Sequence, residues 1–277
     1  MQKSYDNSPS VYLIPTPIGN LEDITLRAIN TLKQVDVIFA EDTRVTKELL
    51  KHLGISKKVY SSHDYNEKEN ESKLLEYLNN DNNIGIMSDR GTPAISDPGF
   101  ILAKYAIENK FNVISLPGAT ALIPALTSSG IAPNQFMFIG FLNSKGNKVK
   151  EELMQYKNIN TTLIIYESPN RLVNTLNTIK EVYGNRQVAV SREISKKFES
   201  IYRGSIIEVL NDLPENIKGE IVIVVEGNKE RQDYLSLSIL EHINLYMEDG
   251  ITSKEAIKKV AKERDIPKSE VYMQYHK

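Results

Sequence analysis

The chain has 277 residues, 40% hydrophobic and 25% charged, with four histidines, no cysteine and a net charge of −2 at pH 7. That length exceeds one ordinary core and suits two domains, and the missing cysteines exclude disulfides, thiolate metal sites and a cysteine nucleophile. No histidine-based metal cluster is expected, and any site for a polyanion has to come from local patches rather than from whole-molecule charge.

Residues 1–10 read as a flexible lead, polar and without the apolar core of a signal peptide. No stretch approaches the ~20 apolar residues of a membrane span, so no membrane and a cytoplasmic location are expected. Residues 11–14 read as a strand that runs into Pro15-Thr16-Pro17-Ile18-Gly19-Asn20. This rigid loop suits a nucleotide-like ligand, although it is neither a dinucleotide fingerprint nor a P-loop. A helix follows with Leu26, Ile29 and Leu32 on one face. Residues 35–40 form the next strand, ending in Glu41-Asp42-Thr43-Arg44. Thr43 is the expected cap of a helix bearing Leu49, Leu50 and Leu53. A cap with a salt bridge is the plainer account of these charges. Residues 59–61 read as a short strand, and 62–66 as a polar loop in which His63 suits a structural role better than a catalytic one.

The apolar run 84–87 reads as a buried strand, and 100–109 as a helix. Between them lies the segment that organises the chain, Ser88-Asp89-Arg90-Gly91-Thr92-Pro93-Ala94-Ile95-Ser96-Asp97-Pro98-Gly99. Its glycines let backbone approach a ligand, its prolines stiffen the path, and it offers two carboxylates and three hydroxyls. Residues 112–116 form another strand, followed by Pro117-Gly118-Ala119-Thr120-Ala121 and a helix whose free amides suit carboxylate or phosphate. Three strand–loop–helix junctions of this kind predict a parallel α/β sheet with one ligand-bearing edge.

Residues 136–142 read as a strand passing between domains, with the boundary at the polar, basic stretch 143–148. Residues 11–142 are thus the N-terminal α/β domain, 143–230 a C-terminal α/β domain, and 231–277 a basic helical tail module. In the second domain, strands are predicted at 161–166, 187–191, 201–204 and 220–226, joined by short turns into a mixed sheet. Glu167-Ser168-Pro169-Asn170-Arg171 and Arg192-Glu193 lie at strand ends. In the tail, Thr252-Ser253-Lys254-Glu255 matches a capping box, with Ile251 and Ala256 as its staple. A second helix starts after Ile266-Pro267. Lys254, Lys258, Lys259, Lys262, Arg264 and Lys268 decorate the pair, which reads either as a solvated hairpin or as a module lying near RNA.

Six stretches, 15–25, 40–44, 88–99, 117–118, 166–169 and 192–193, together resemble the tetrapyrrole-methylase class of S-adenosylmethionine-dependent methyltransferases, and within it the subgroup acting on small-subunit ribosomal RNA. The resemblance runs from about residue 11 to 226. It implies two α/β domains with the cofactor in the cleft between them, a homodimer, and 2′-O-methylation of a cytidine ribose in the decoding region of 16S rRNA. It implies cofactor contacts from Pro17, Ile18, Gly19, Asp89, Gly91, Thr92, Pro93, Asp97, Gly118, Ala119 and Thr120, with Tyr166 and Arg192 from the second domain. The chain departs from the family at Arg90, where alanine is common; the cation faces either the sulfonium site or RNA phosphate.

Methyl transfer to a hydroxyl is an in-line displacement that needs donor and acceptor aligned, a base for the hydroxyl proton, and no metal. Glu167, Glu193 and Lys196 are the candidate bases, each with a salt-bridge reading beside it. Candidate RNA-binding cations are Arg90, Lys145, Lys148, Lys196, Lys197 and Arg203. So few phosphate contacts bind free RNA weakly, which predicts recognition of folded RNA in the assembled small ribosomal subunit. Rival readings are a methylase of a tetrapyrrole precursor or protein side chain, a Mg²⁺-dependent phosphoryl-transfer enzyme using Asp42, Asp89 and Asp97, and a non-enzymatic RNA-binding module built on the tail.

Overall fold

The computed structural model describes residues 2–4, 6–63, 68–144, 146–229, 237–248 and 250–276. Lys145 and the loop positions Asp64, Tyr65 and Asn66 lie outside the described residues. The chain forms two compact units, residues 1–227 and 228–277.

The first unit begins with β1 (Ser10–Leu13), α1 (Leu26–Gln34), β2 (Val37–Ala40), α2 (Thr43–His52), β3 (Lys58–Ser61), α3 (Glu71–Asn79), β4 (Ile84–Met87), α4 (Phe100–Glu108) and β5 (Asn112–Ser115). The five strands are parallel in the order β3-β2-β4-β1-β5. Both faces are covered, which is why these strands read as continuous apolar runs. Ile38 and Ala40 of β2 pack with Leu32 and Leu50 on one face, while Val37 and Phe39 pack with Leu74 and Leu102 on the other. The chain leaves β1 toward one side of the sheet and β4 toward the other. The crevice at the carboxyl ends of β1 and β4 is therefore the switch point where open α/β sheets bind ligands. The cap of α2 is Asp42, whose Oδ1 accepts the Arg44 amide at 2.8 Å, and not Thr43 as expected.

The same unit continues with α5 (Leu122–Ser128), β6 (Phe136–Phe141), α6 (Gly146–Gln155), β7 (Thr162–Glu167), α7 (Leu172–Tyr183), β8 (Gln187–Arg192), β9 (Ser200–Ser205), α8 (Ile206–Asp212) and β10 (Ile221–Val225). Their sheet has the order β6-β7-β10-β8-β9, parallel at β6–β7 and antiparallel elsewhere. The expected boundary near residue 143 falls too late. β6 hydrogen-bonds along β7, so it is the edge strand of the second sheet, and the polar stretch after it only connects strand to helix. All five residues of β10 are buried, because α7 and α8 cover one face of the sheet and α5 the other. Ser205 and Glu208 form a capping box at α8 that the sequence reading overlooked.

The second unit holds α9 (Ile239–Glu248), α10 (Ser253–Glu263) and α11 (Lys268–Tyr275) around a small core of Ile243, Ile257, Val260 and Val271. The capping box expected at Thr252 does not form. Thr252 stands at the N-cap, but its hydroxyl donates to Glu255 Oε2 at 3.0 Å instead of accepting a backbone amide.

Candidate active site

The loops after β1 and β4 are bound to each other. Thr16 and Gly91 exchange two backbone hydrogen bonds of 2.9 and 3.0 Å, an isolated antiparallel bridge across the switch point. The loop 88–99 is tightly curled. Gly91, Ala94, Ser96 and Gly99 all have positive φ, and the Ala94 amide donates to the Pro98 carbonyl at 3.1 Å. Left-handed alanine and serine are strained, and such strain collects at functional sites. Thr92 Oγ1 donates to the Ala119 carbonyl at 3.0 Å and joins this loop to the one after β5. A Cβ on Gly118 would overlap Pro15, so that close packing requires glycine.

Three ends of the second sheet converge on these loops: the carboxyl ends of β7 and β8 and the start of β10, where Ile221 pairs with both Glu167 and Arg192. Between the two sheets lies a cleft of about 360 Å³. Ile18, Ile95, Phe141, Tyr166, Ile221 and Val222 give it apolar walls, and Thr92, Ser96, Asp97, Thr120 and Ser168 supply polar groups. The Tyr166 ring sits edge-on to Phe138 and Phe141 at 4.7 and 5.6 Å. Burial raises its phenol pKa, while hydrogen bonding to Thr120 in the facing domain lowers it in part. A second recess lies on the first domain alone, lined by Thr16, Pro17, Gly19, Val45, His52, Met87, Ser88 and Asp89. Arg90 belongs to the walls of both.

The cleft therefore assembles Ile18, Gly91, Thr92, Asp97, Thr120 and Tyr166 from the expected cofactor set. Pro17, Gly19 and Asp89 face the second recess instead. Asp89 Oδ1 accepts the Asp42 amide at 2.9 Å, and Glu41 Oε2 accepts the Asp89 amide at 3.3 Å, so the ends of β2 and β4 are cross-tied. Asp42 pairs with Arg44, whose hydrogen bonds hold its carboxyl down at about 2. The plainer account of that tetrad, cap with salt bridge, is what the structure contains. Pro93, Gly118 and Ala119 support the loops without lining either cavity. Arg192 Nε donates to the Lys218 carbonyl at 2.6 Å and its guanidinium to that of Phe198 at 3.3 Å, so it braces the loop after β8.

Of the candidate bases, Glu167 lines the cleft, but its side chain is 0% exposed. It accepts the Thr175 hydroxyl at 2.6 Å and the Ser168 amide at 2.7 Å, and lies 3.3 Å from Arg171 Nε. Every such partner belongs to the start of α7, which this carboxylate anchors. Glu193 and Lys196 pair at 2.7 Å, and Lys196 also reaches Glu220 at 2.7 Å. Burial pushes the Lys196 pKa down, but the two carboxylates outweigh it, and the net direction is up. Burial likewise pushes Glu193 up, but Lys196 and the Glu220 amide outweigh it, and the net direction is down. Lys196 thus stays protonated, the wrong state for a base, and Glu193 stays ionised but with its basicity lowered by the same pairing.

Glu220 is the residue the sequence reading missed, taking it only as the start of the strand 220–226. It pairs with Lys196 from its own domain and with Arg90 from the other. The remaining RNA-binding candidates are dispersed. Lys148 and Lys197 are exposed, with Lys197 over the Phe198 ring, and Arg203 Nε donates to the Ser128 carbonyl at 2.8 Å. Asp42 and Asp89 are neighbours while Asp97 lines the other cavity, and among the described residues no group of three acids or histidines could hold a metal ion. No helix among the described residues is long and apolar enough to cross a membrane.

Residues 10–210 match the family described as Tetrapyrrole (Corrin/Porphyrin) Methylases. Among curated relatives, a Bacillus subtilis protein named Ribosomal RNA small subunit methyltransferase I is 46% identical over 96% of this chain and 94% of its own length. A protein of the same name from Halalkalibacterium halodurans is 44% identical over 99% of this chain and 98% of its own. Among solved structures, the methyltransferase CobJ superposes with a TM-score of 0.59 at 17% identity, covering 81% of this chain and 97% of that one. Uroporphyrin-III C-methyl transferase from Thermus thermophilus, complexed with S-adenyl homocysteine, gives 0.55 at 20% identity, covering 78% and 96%.

Proposed function

Because the chain belongs to the tetrapyrrole methylase family, we propose that it is an S-adenosylmethionine-dependent ribosomal RNA methyltransferase. Its acceptor is the 2′-hydroxyl of a cytidine ribose in the decoding region of 16S rRNA, presented by the assembled small subunit, and it works as a cytoplasmic homodimer. The observation that carries this reading is the pair of cavities sharing the Arg90 wall. The cleft suits the cofactor and the recess suits a nucleotide, so donor and acceptor sit back to back.

The cleft fits an adenosyl group with an amino-acid tail. It has apolar walls for a flat base and hydroxyls at Thr92, Ser96 and Thr120 for a ribose or carboxylate. At Gly91, φ is +83° and a Cβ would stand 3.4 Å from Ile18 and 3.7 Å from the Ala119 carbonyl, so bare backbone leaves room for a ligand there. When bound, the cofactor supplies an electrophilic methyl group on a sulfonium. The chain orients the reacting partners and excludes water, the terms that alignment of an in-line transfer requires. On the acceptor side, the recess is lined by two carboxylates, Glu48 on α2 and Asp89 just after β4, and we assign the acceptor to Asp89 because it stands at the switch point next to Arg90. Its role is to accept the 2′-hydroxyl hydrogen bond and hold the oxygen toward the donor, with the Asp42 amide fixing its rotamer.

The experiment is transfer of labelled methyl from S-adenosylmethionine to small subunits from cells lacking the modification, with the product nucleotide mapped and naked 16S rRNA run beside it. A label on the cytidine ribose, faster on subunits than on naked RNA, supports the reading. No label on RNA, or label on a base, overturns it.

A further inference from the structure

Four cations of the first unit are engaged: Arg90 with Glu220, Lys196 between two glutamates, and Arg192 and Arg203 on backbone carbonyls. Helix α10 is different. Ala256, Ile257, Val260 and Ala261 form its buried side. At the helical period, Lys254, Lys258 and Lys262 then fall in one row on the opposite side, with Lys259 next to them. All four are exposed. Among the described residues Lys254, Lys258 and Lys262 have no carboxylate partner, and the Lys259 ammonium rests 4.9 Å from the Tyr246 ring.

A merely solvated helix face balances its lysines with glutamates four residues away; like charges at that spacing are destabilising. Here the i,i+4 neighbours along the row are lysines. The two glutamates of α10, Glu255 and Glu263, are exposed and stand four residues either side of Lys259, off the 254–258–262 row, and each is bonded within the unit. Glu263 accepts the Tyr246 hydroxyl at 2.7 Å and lies 3.1 Å from His242 Nε2, and Glu255 accepts the Thr252 hydroxyl at 3.0 Å. A chain with a net charge of −2 thus places three lysines without i,i+4 glutamates in one row, Lys254, Lys258 and Lys262. A short connection, residues 264–267, leads to α11, where Tyr272 is 53% exposed and its ring lies 4.3 Å from that of His276. A row of cations on one helix, with an exposed aromatic on the next helix of the same unit, supplies the two groups that grip phosphates and stack an unpaired base.

We propose that the outward face of α10, Lys254, Lys258, Lys259 and Lys262, is the phosphate-binding surface that holds the ribosomal RNA substrate, with Tyr272 as a stacking platform. This rests on the rRNA reading above. The test uses the full chain and purified small ribosomal subunits. Binding is measured across a salt series for the wild type and for the triple variant Lys254→Gln, Lys258→Gln, Lys262→Gln, which keeps helix-forming residues in α10. Three lost contacts at about 0.7 each should make the slope of log affinity against log salt shallower by about 2 and weaken binding roughly tenfold or more. Cofactor affinity and far-ultraviolet circular dichroism should not change. Unchanged slope and affinity would overturn the proposal, as would loss of binding to phosphatidylserine vesicles with subunit binding intact, which would assign the face to a membrane. Methyl transfer is scored separately. Lysine-dependent subunit binding with no transfer by the wild type brings down the enzymatic reading and leaves this surface standing. Transfer by the wild type with normal binding by the triple variant does the reverse.

Discussion

The side chain of Lys196, in the second domain, lies lengthwise across Gly19 in the first. A Cβ built on Gly19 would overlap the lysine stem, and Gly19 itself has φ +149°. Beyond that crossing the ammonium is fixed between Glu193 and Glu220, while the neighbouring Ser195 hydroxyl meets Asp23 of the first domain. The segment after β8 is thus a strap across the two domains, with Glu193 and Ser195 both left-handed within it.

Gly19→Ala should displace the strap without unfolding either sheet. Overpacking of this kind costs about 1–3 kcal/mol, and the clash is with a flexible stem. The expected result is cofactor affinity reduced roughly five- to tenfold, measured by calorimetry, with a melting temperature lowered by roughly 2–10 °C. Wild-type affinity would show that the strap does not shape the cleft.

Arg90→Ala tests the other arm of Glu220. The Arg90–Glu220 pair is more than half exposed on both sides, so its loss should cost under about 1 kcal/mol of stability. Cofactor affinity should stay within a few fold, and methyl transfer to subunits should fall more than cofactor binding, because Arg90 also lines the recess. A large loss of cofactor binding alone would show that Arg90 serves the cofactor rather than the acceptor.

Asp89→Ala separates the two cavities. Asp89 faces the recess, so the variant should bind cofactor within about threefold of wild type and lose methyl transfer a hundredfold or so, the order expected for a group that handles the reacting proton. Loss of cofactor affinity matching the loss of transfer would return Asp89 to the cofactor contacts that the family motif implies.

Glu167→Gln should act on stability. The buried carboxylate serves Thr175, Ser168 and Arg171 at once. Weakening hydrogen bonds to a charged group costs about 1.5–3 kcal/mol, visible as a lower melting temperature. An unchanged melting temperature with abolished transfer would restore Glu167 as the base.

The helical unit should loosen in acid. Burial pushes the His242 pKa below its ordinary 6.5, Glu263 pushes it up in part, and Arg264 pushes it down again. Arg264 Nε donates to Nδ1 at 3.1 Å, a bond only neutral imidazole can accept. The folded pKa lies below the unfolded one, so the unfolded chain binds more protons in the window beneath about 6.5. Stability is full above that pH and is lost as pH falls toward the depressed folded value. Amide-exchange protection in α9–α11 should drop as pH falls below about 6.5, and His242→Gln should flatten the dependence. Flat protection in the wild type would sink the argument.

Sequence alone determined the local frame. Apolar runs too short for helices marked buried strands, glycine-containing loops at their carboxyl ends marked the ligand edge, and six motifs in order marked the family; these are properties of neighbouring residues. Thr92, Tyr166 and the other expected cleft residues were legible because loops at strand ends have one place to go in an α/β sheet. What only the tertiary structure decided depends on residues far apart in the chain. β6 belongs to the second sheet because its hydrogen bonds go to β7. Asp89 and Thr92, three positions apart, face different cavities because the Thr16–Gly91 bridge turns the backbone between them. Glu220, unremarkable before an apolar strand, becomes the meeting point of Arg90 and Lys196 because three strand ends of one sheet converge on the loops of the other. Whether a lysine is a base, a strap or a phosphate contact follows from which carboxylates surround it, and only the fold brings them there.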